Sequence, residues 1–121
     1  MKKKIGTLNI LGQAYPVYFS DEKHDPKLVG NNGYTDLDKK IILIDNTISS
    51  PFAKHVLVHE IVHAFLFESG LDDQTKDGWA RNEEIVDWFA LQLPKMSVVM
   101  NKVHKSHKQY LKEKKDNAKS Q

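Results

Sequence analysis

The chain contains no cysteine among its 121 residues. Disulfide bonds are therefore excluded, and so is any zinc site built from thiolates. If a transition metal binds, its protein ligands have to be histidines and carboxylates. Such ligands favour an open site of the catalytic kind over a closed structural site.

Long apolar runs are also missing. No stretch approaches the roughly 20 apolar residues that a membrane-spanning helix needs. The segment Met1–Lys4 is basic, but it leads into alternating apolar residues rather than into the apolar core of a signal peptide. These absences predict a cytoplasmic protein, and the length predicts a single domain comprising residues 1–121.

Acidic residues are scarce toward the C-terminus. From Lys95 onward there are eight lysines against only Glu113 and Asp116, although the formal net charge of the whole chain is only +2. Residues 95–121 are therefore predicted to form a Lys-rich C-terminal helix or tail. Such a tail is either simply solvated or a surface for nucleic acid or another acidic partner.

The pattern of apolar and turn residues predicts an α+β fold with a small mixed sheet of three to four strands. The chain suggests two hairpins, and the clearest strand is Lys40–Asp45, whose continuous β-branched residues suit a strand covered by a helix. The predicted strands are residues 4–10, 15–19, 34–35 and 40–45.

Three helices are expected to accompany this sheet. Ser50 is a good N-cap and Pro51 fits the first helical position of the first helix, which should end at Ser69-Gly70. Pro94 is expected to end the second helix. The predicted order is the first helix, a polar loop at Leu71–Gly78, a second helix from Trp79 or Ala80 to Leu93, and a third from Met96 to about Lys114.

The first helix carries the run His59-Glu60-Ile61-Val62-His63, which has the form H-E-x-x-H. Residues four apart lie on the same helix face, so both imidazoles can reach one metal ion. Glu60 projects beside the metal, where a general base for water is needed. A helix with two half-buried histidines and no metal is the alternative interpretation.

A third metal ligand has to be His, Asp or Glu, and the second helix offers candidates. Glu83 and Asp87 are four residues apart and share one helix face. If Glu83 meets the metal, Asp87 lies one turn along and can hold the N–H of a ligating histidine. An exposed acidic helix face is again the alternative.

These two motifs together resemble the thermolysin-type gluzincins, in which H-E-x-x-H is followed about twenty residues later by an N-E-x-x-x-D pattern. The resemblance implies that His59, His63 and Glu83 bind one catalytic Zn²⁺ ion. It also implies that Glu60 is the general base and that Asp87 supports His59.

The small size resembles the minimal gluzincin domains and the ImmA/IrrE-type phage and bacterial metallopeptidases. The span Leu57–Met96 resembles small proteins of Gram-positive phages and prophages, although the chain has Val86-Asp87 where the ImmA/IrrE type has Ala-Asn. The resemblance implies a peptide or protein substrate of narrow range, such as a repressor-like regulator in the host cytoplasm. Together with the predicted strand at Lys40–Asp45, it suggests that this substrate would lie along an edge strand at Ile41–Ile44.

Thermolysin-like enzymes also use a distant His, sometimes with a Tyr, to stabilise the transition state, and no motif identifies those residues here. The candidates by residue type alone are His104, His107, Tyr34 and Tyr110.

Two other functions stay open at the level of sequence. One is a catalytically silent zinc-binding interaction module. The other is a nucleic-acid-associated accessory protein that uses the Lys-rich C-terminal segment. The presence of Glu60 favours the peptidase over the silent module, because a purely structural zinc does not need a neighbouring carboxylate base.

Overall fold

The computed structural model describes residues 1–74 and 76–119. Thr75, in the predicted loop Leu71–Gly78, and residues 120–121, at the end of the predicted tail, lie outside the described residues. The chain divides into two units, Met1–Ala90 and Leu91–Gln121.

The first unit contains a four-stranded mixed sheet. Its strands are β1 (Lys3–Ile10), β2 (Gln13–Ser20), β3 (Gly33–Asp36) and β4 (Ile41–Asp45), in the spatial order β1-β2-β4-β3. The β1–β2 and β3–β4 pairs are antiparallel, and β2–β4 is parallel. Together with the helices described below, this arrangement confirms the predicted α+β fold and its two hairpins.

The predicted edge strand at Ile41–Ile44 is wrong. β4 lies between β2 and β3, with Val17 paired to Ile42 on one side and Thr35 paired to Ile42 on the other. The continuous apolar run of β4 suits this central position, because a strand covered on both faces needs no polar alternation. The outer strand on that side of the sheet is β3.

Helix α1 (Ser50–Glu68) carries the H-E-x-x-H run. Its N-cap is Ser49 and not the predicted Ser50, so the helix begins one residue early and Pro51 lies in its first turn. The predicted end at Ser69-Gly70 is confirmed: Ser69 is the C-cap, and Gly70 has a φ of 85°, which glycine adopts without steric cost.

The segment after α1 is more helical than the predicted loop. A short helix α2 (Leu71–Gln74) is followed by a 3₁₀ segment at Lys76–Arg81. Within that segment Asp77 and Gly78 both have positive φ, which interrupts the helical path. The predicted start of the next helix at Trp79 or Ala80 is therefore wrong, and helix α3 begins at Glu83.

Helix α3 (Glu83–Lys119) is continuous, with Pro94 in its interior. The predicted break at Pro94 and a separate helix from Met96 are therefore wrong. A proline removes its own amide donor and crowds one preceding carbonyl. The residues on either side of Pro94 are good helix formers, so the helix continues with this one hydrogen bond missing. Among the described residues, no helix is both long enough and apolar enough to cross a membrane.

Two buried clusters fix the motif helix within the first unit. The larger one joins the inner face of the sheet to α1, for example through Ile42 and Val56. The smaller one contains Val62 and Leu66 of α1 and Val86 of α3. Because Val86 is fully buried against α1, the first turns of α3 are held beside the H-E-x-x-H run.

Candidate metal centre

Two histidines of α1 and one glutamate of α3 converge on a single point. The side chains of His59 and His63 are mostly buried, and their ring centroids lie 4.9 Å apart. Glu83 spans the pair: its Oε2 lies 2.9 Å from His59 Nε2, and its Oε1 lies 2.9 Å from His63 Nε2. The structure therefore brings together the three residues that the sequence suggested as ligands.

The cluster fits the requirements of a zinc ion. One donor atom from each of His59, His63 and Glu83 lies within 4.8 Å of the others. Donor atoms about 2.0–2.1 Å from a tetrahedral zinc lie roughly 3.3 Å from one another, which is within this 4.8 Å limit. Two imidazoles and one carboxylate are a usual ligand set for catalytic zinc, and three protein ligands leave the fourth position for water or substrate.

The first turn of α3 holds Glu83 in position. Asn82 precedes the helix, and its Oδ1 accepts a hydrogen bond from the backbone N–H of Ile85 at 3.0 Å. Val86 N–H donates to the Asn82 carbonyl oxygen at 3.0 Å. Asn82 is thus an N-cap, which fixes where the helix begins and makes Glu83 its first residue.

Glu60 lies beside the three converging residues and is buried, with 7% of its surface exposed. Thr35 of β3 donates its hydroxyl hydrogen to Glu60 Oε1 at 2.7 Å. Burial raises the pKa of Glu60 above the usual carboxyl range, although the Thr35 hydrogen bond and the two nearby histidines act in the opposite direction. A carboxylate with a raised pKa, held by one hydrogen bond, is suited to accept and return a proton.

Asp87 is one turn beyond Glu83 and bonds to two histidines through the same oxygen. Its Oδ1 lies 3.2 Å from His59 Nδ1 and 2.8 Å from His55 Nε2. Partial burial acts to raise the pKa of Asp87, but the hydrogen bonds from His59 and His55 outweigh it and the pKa is lowered. Asp87 therefore stays ionised and keeps the proton of His59 on Nδ1, which leaves Nε2 free to bind a metal.

The converging residues lie between two hollows that open along β3. One hollow, of about 370 Å³, is lined by the 30–33 loop and by Phe52, His55 and Glu83. The other, of about 270 Å³, is lined by Tyr34, Leu37 and His63 and again reaches Glu83. The two hollows share Glu60 and Glu83 in their linings, so they adjoin at the converging residues.

Two residues of the site were missed by the sequence analysis, namely His55 and Thr35. His55 had a detectable signal: it precedes His59 by four residues, so it lies on the same face of α1 as His59 and His63, one turn earlier. Thr35 had none, since its contact with Glu60 spans 25 residues and depends on how the sheet packs on α1.

The four candidates for transition-state stabilisation fall in different parts of the chain. Tyr34 lines the smaller hollow beside Glu60 and His63. His104, His107 and Tyr110 are exposed side chains of the second unit.

No family model, no curated protein and no solved structure matches this chain. The assignment of the site consequently depends on the geometry described above.

Proposed function

We propose that the protein is a zinc-dependent peptidase of the gluzincin type. The single observation that supports this most strongly is the convergence of His59, His63 and Glu83 beside the buried carboxylate of Glu60. A site that only stored or displayed a metal would not need a desolvated acid next to it. The same arrangement underlies the resemblance to the minimal gluzincin and ImmA/IrrE-type metallopeptidases.

The chemistry assigns a task to each residue. His59, His63 and Glu83 would hold the zinc ion, which would supply the Lewis acidity that polarises a carbonyl and lowers the pKa of a water molecule toward neutrality. Glu60 takes the proton from the attacking water and returns it to the amine that leaves. Thr35 holds Glu60 in place during both transfers.

The two adjoining hollows beside β3 support a path for the substrate. β3 is an outer strand, so its free backbone groups can pair with an extended peptide. This strand replaces Ile41–Ile44 as the edge at which a substrate would bind. We further propose a narrow substrate range, such as a repressor-like regulator of a phage or prophage, and a cytoplasmic location.

The test compares the zinc-loaded parent protein with Glu60→Gln on a mixture of peptides of random sequence, with cleavage read by mass spectrometry. The parent is expected to cleave a subset of peptides. Glu60→Gln should retain zinc and lose about 10²–10⁴ in rate, the usual contribution of a general base. Glu84→Gln, which changes an exposed neighbour of Glu83, is the matched control and should cleave at the parent rate.

Two results would contradict the proposal. Equal cleavage by Glu60→Gln and the parent would remove Glu60 from the mechanism. A parent that binds zinc but cleaves neither the peptides nor unfolded protein substrates would favour the catalytically silent zinc module instead.

A further inference from the structure

His55 lies one helical turn before His59, on the same face of α1, and is not one of the three residues whose donor atoms converge, His59, His63 and Glu83. Its Nε2 is 2.8 Å from Asp87 Oδ1, which is shorter than the 3.2 Å between the same oxygen and His59 Nδ1. The shorter of the two hydrogen bonds to Asp87 therefore comes from His55, a residue outside the converging cluster.

The surroundings of Asp87 explain why a second bond matters. The Asp87 side chain is 44% exposed and projects from the second turn of α3. A carboxylate this exposed has water as an alternative partner, so a single bond to His59 would hold it loosely. The His55 ring is itself restrained, because it stacks on Phe52 with centroids 6.3 Å apart and an angle of 20° between the rings.

We propose that His55 is a positioning residue of the metal centre. Its Nε2–H holds the Asp87 carboxylate in the orientation that accepts the Nδ1–H of His59, and so fixes the ring of a proposed zinc ligand. The chain of contacts runs from Phe52 through His55 and Asp87 to His59, and it ties α1 to α3 beside the site. This inference rests on the proposed metal site and adds to it a residue that never touches the ion.

The experiment measures the zinc dissociation constant by competition with a chromophoric chelator. The proteins are the parent, His55→Ala, Asp87→Ala and the double variant. Loss of an outer hydrogen-bond partner typically weakens metal binding 10- to 100-fold, and His55→Ala is expected in this range. Because His55 acts through Asp87, the double variant should bind zinc about as weakly as Asp87→Ala alone.

Two further variants separate positioning from general damage to the fold. His55→Gln keeps an N–H donor at a similar reach, and it should recover most of the affinity that His55→Ala loses. His24→Ala is the matched control, since His24 also bonds an aspartate, Asp21 Oδ1 at 2.7 Å, but lies outside the site. Its zinc affinity should equal that of the parent.

Each outcome has a distinct meaning. Parent-like affinity in His55→Ala, or losses that simply add in the double variant, would overturn the positioning role while leaving the metal site intact. Failure of His55→Gln to recover zinc affinity would also overturn the positioning role. A parent without measurable zinc affinity would overturn the proposed function as well. A His55 effect on zinc in a protein that cleaves nothing would keep the positioning role and reject only the peptidase.

Discussion

At the scale of one residue, Gly33 allows β3 to pack closely against α1 beside Glu60. A Cβ atom at this position would lie 2.5 Å from Val56 Cγ1 and 3.2 Å from both Cγ and Oε2 of Glu60. Val56 is β-branched and has little rotamer freedom on a helix, so it cannot easily yield. The absence of a side chain at Gly33 therefore lets β3 cover Glu60 and helps to bury it.

Gly33→Ala should consequently push β3 away from α1. We expect the free energy of unfolding to fall by about 1–3 kcal/mol, the usual cost of overpacking a filled interior. Urea denaturation of the zinc-free protein measures this. Gly6→Ala on β1 is the control, because a Cβ there meets nothing within 4 Å. If both variants were equally stable, the close approach of β3 to α1 would not be a constraint.

Tyr15 gives a residue-scale test of the core that does not depend on the metal. Its side chain is fully buried, and its hydroxyl lies 3.4 Å from Glu68 Oε2, which Lys40 Nζ also contacts at 2.8 Å. Burial, and then the negative charge of Glu68, raises the pKa of Tyr15 to about 12.

The folded protein then holds the Tyr15 proton more tightly than the unfolded chain does. Its contribution to stability is complete below the ordinary tyrosine pKa of about 10 and is lost as the pH rises through 12. Phenolate absorbance should show one tyrosine that ionises near pH 12 in the parent and in Tyr18→Phe, but not in Tyr15→Phe. A late phase that persists in Tyr15→Phe would assign the shift to another residue.

The residues of the site differ in how far sequence could predict them. His59, Glu60 and His63 follow from helical spacing within one element, and Glu83 and Asp87 follow from the same rule on the next helix. Their convergence, however, depends on packing around Val86, which no local pattern encodes. The role of Thr35 arises only from its contact with Glu60 across elements, so spacing could not reveal it. The four-residue spacing of His55 from His59 was a signal, but its bond to Asp87 depends on the packing of α1 and α3.

At the scale of the element, the start of α3 matters most, because Glu83 is its first residue. Asn82→Ala removes the side-chain bond to the Ile85 N–H. We expect a loss of about 0.5–2 kcal/mol in unfolding free energy, together with weaker zinc binding from a frayed first turn. Asn82→Asp should preserve both properties. Unchanged stability and zinc affinity in Asn82→Ala would indicate that tertiary packing alone fixes the start of α3.

The errors in predicting elements have separate physical causes. The hairpins were predictable because turns are local: Leu11 and Gly12 have the paired positive φ values, 51° and 89°, of a tight two-residue turn. The parallel pairing of β2 with β4 is non-local, so the strand at the edge was assigned wrongly. Pro94 disfavours a helix locally, but the helix-forming residues on both sides of it allow α3 to continue.

At the scale of the whole molecule, both buried clusters lie within Met1–Ala90. A chain that ends after Pro94 should therefore fold cooperatively and bind zinc with nearly the affinity of the parent. Circular dichroism and chelator competition measure these properties. A chain that ends after Asn82 is the control: it lacks Val86 and Glu83 and should lose both fold stability and zinc. Unfolding of the chain that ends after Pro94 would show that the Lys-rich segment is needed by the first unit.

Zinc content tests the assignment of His59, His63 and Glu83 as metal ligands most directly. Inductively coupled plasma mass spectrometry can measure the zinc content of the protein after removal of all metal with a chelator and reloading with equimolar zinc. About one zinc ion per chain is expected in the parent and in Glu60→Gln, and a large loss in His59→Ala and Glu83→Ala. A parent that takes up no zinc, or undiminished zinc in both ligand variants, would contradict the assignment of His59, His63 and Glu83 as the metal centre.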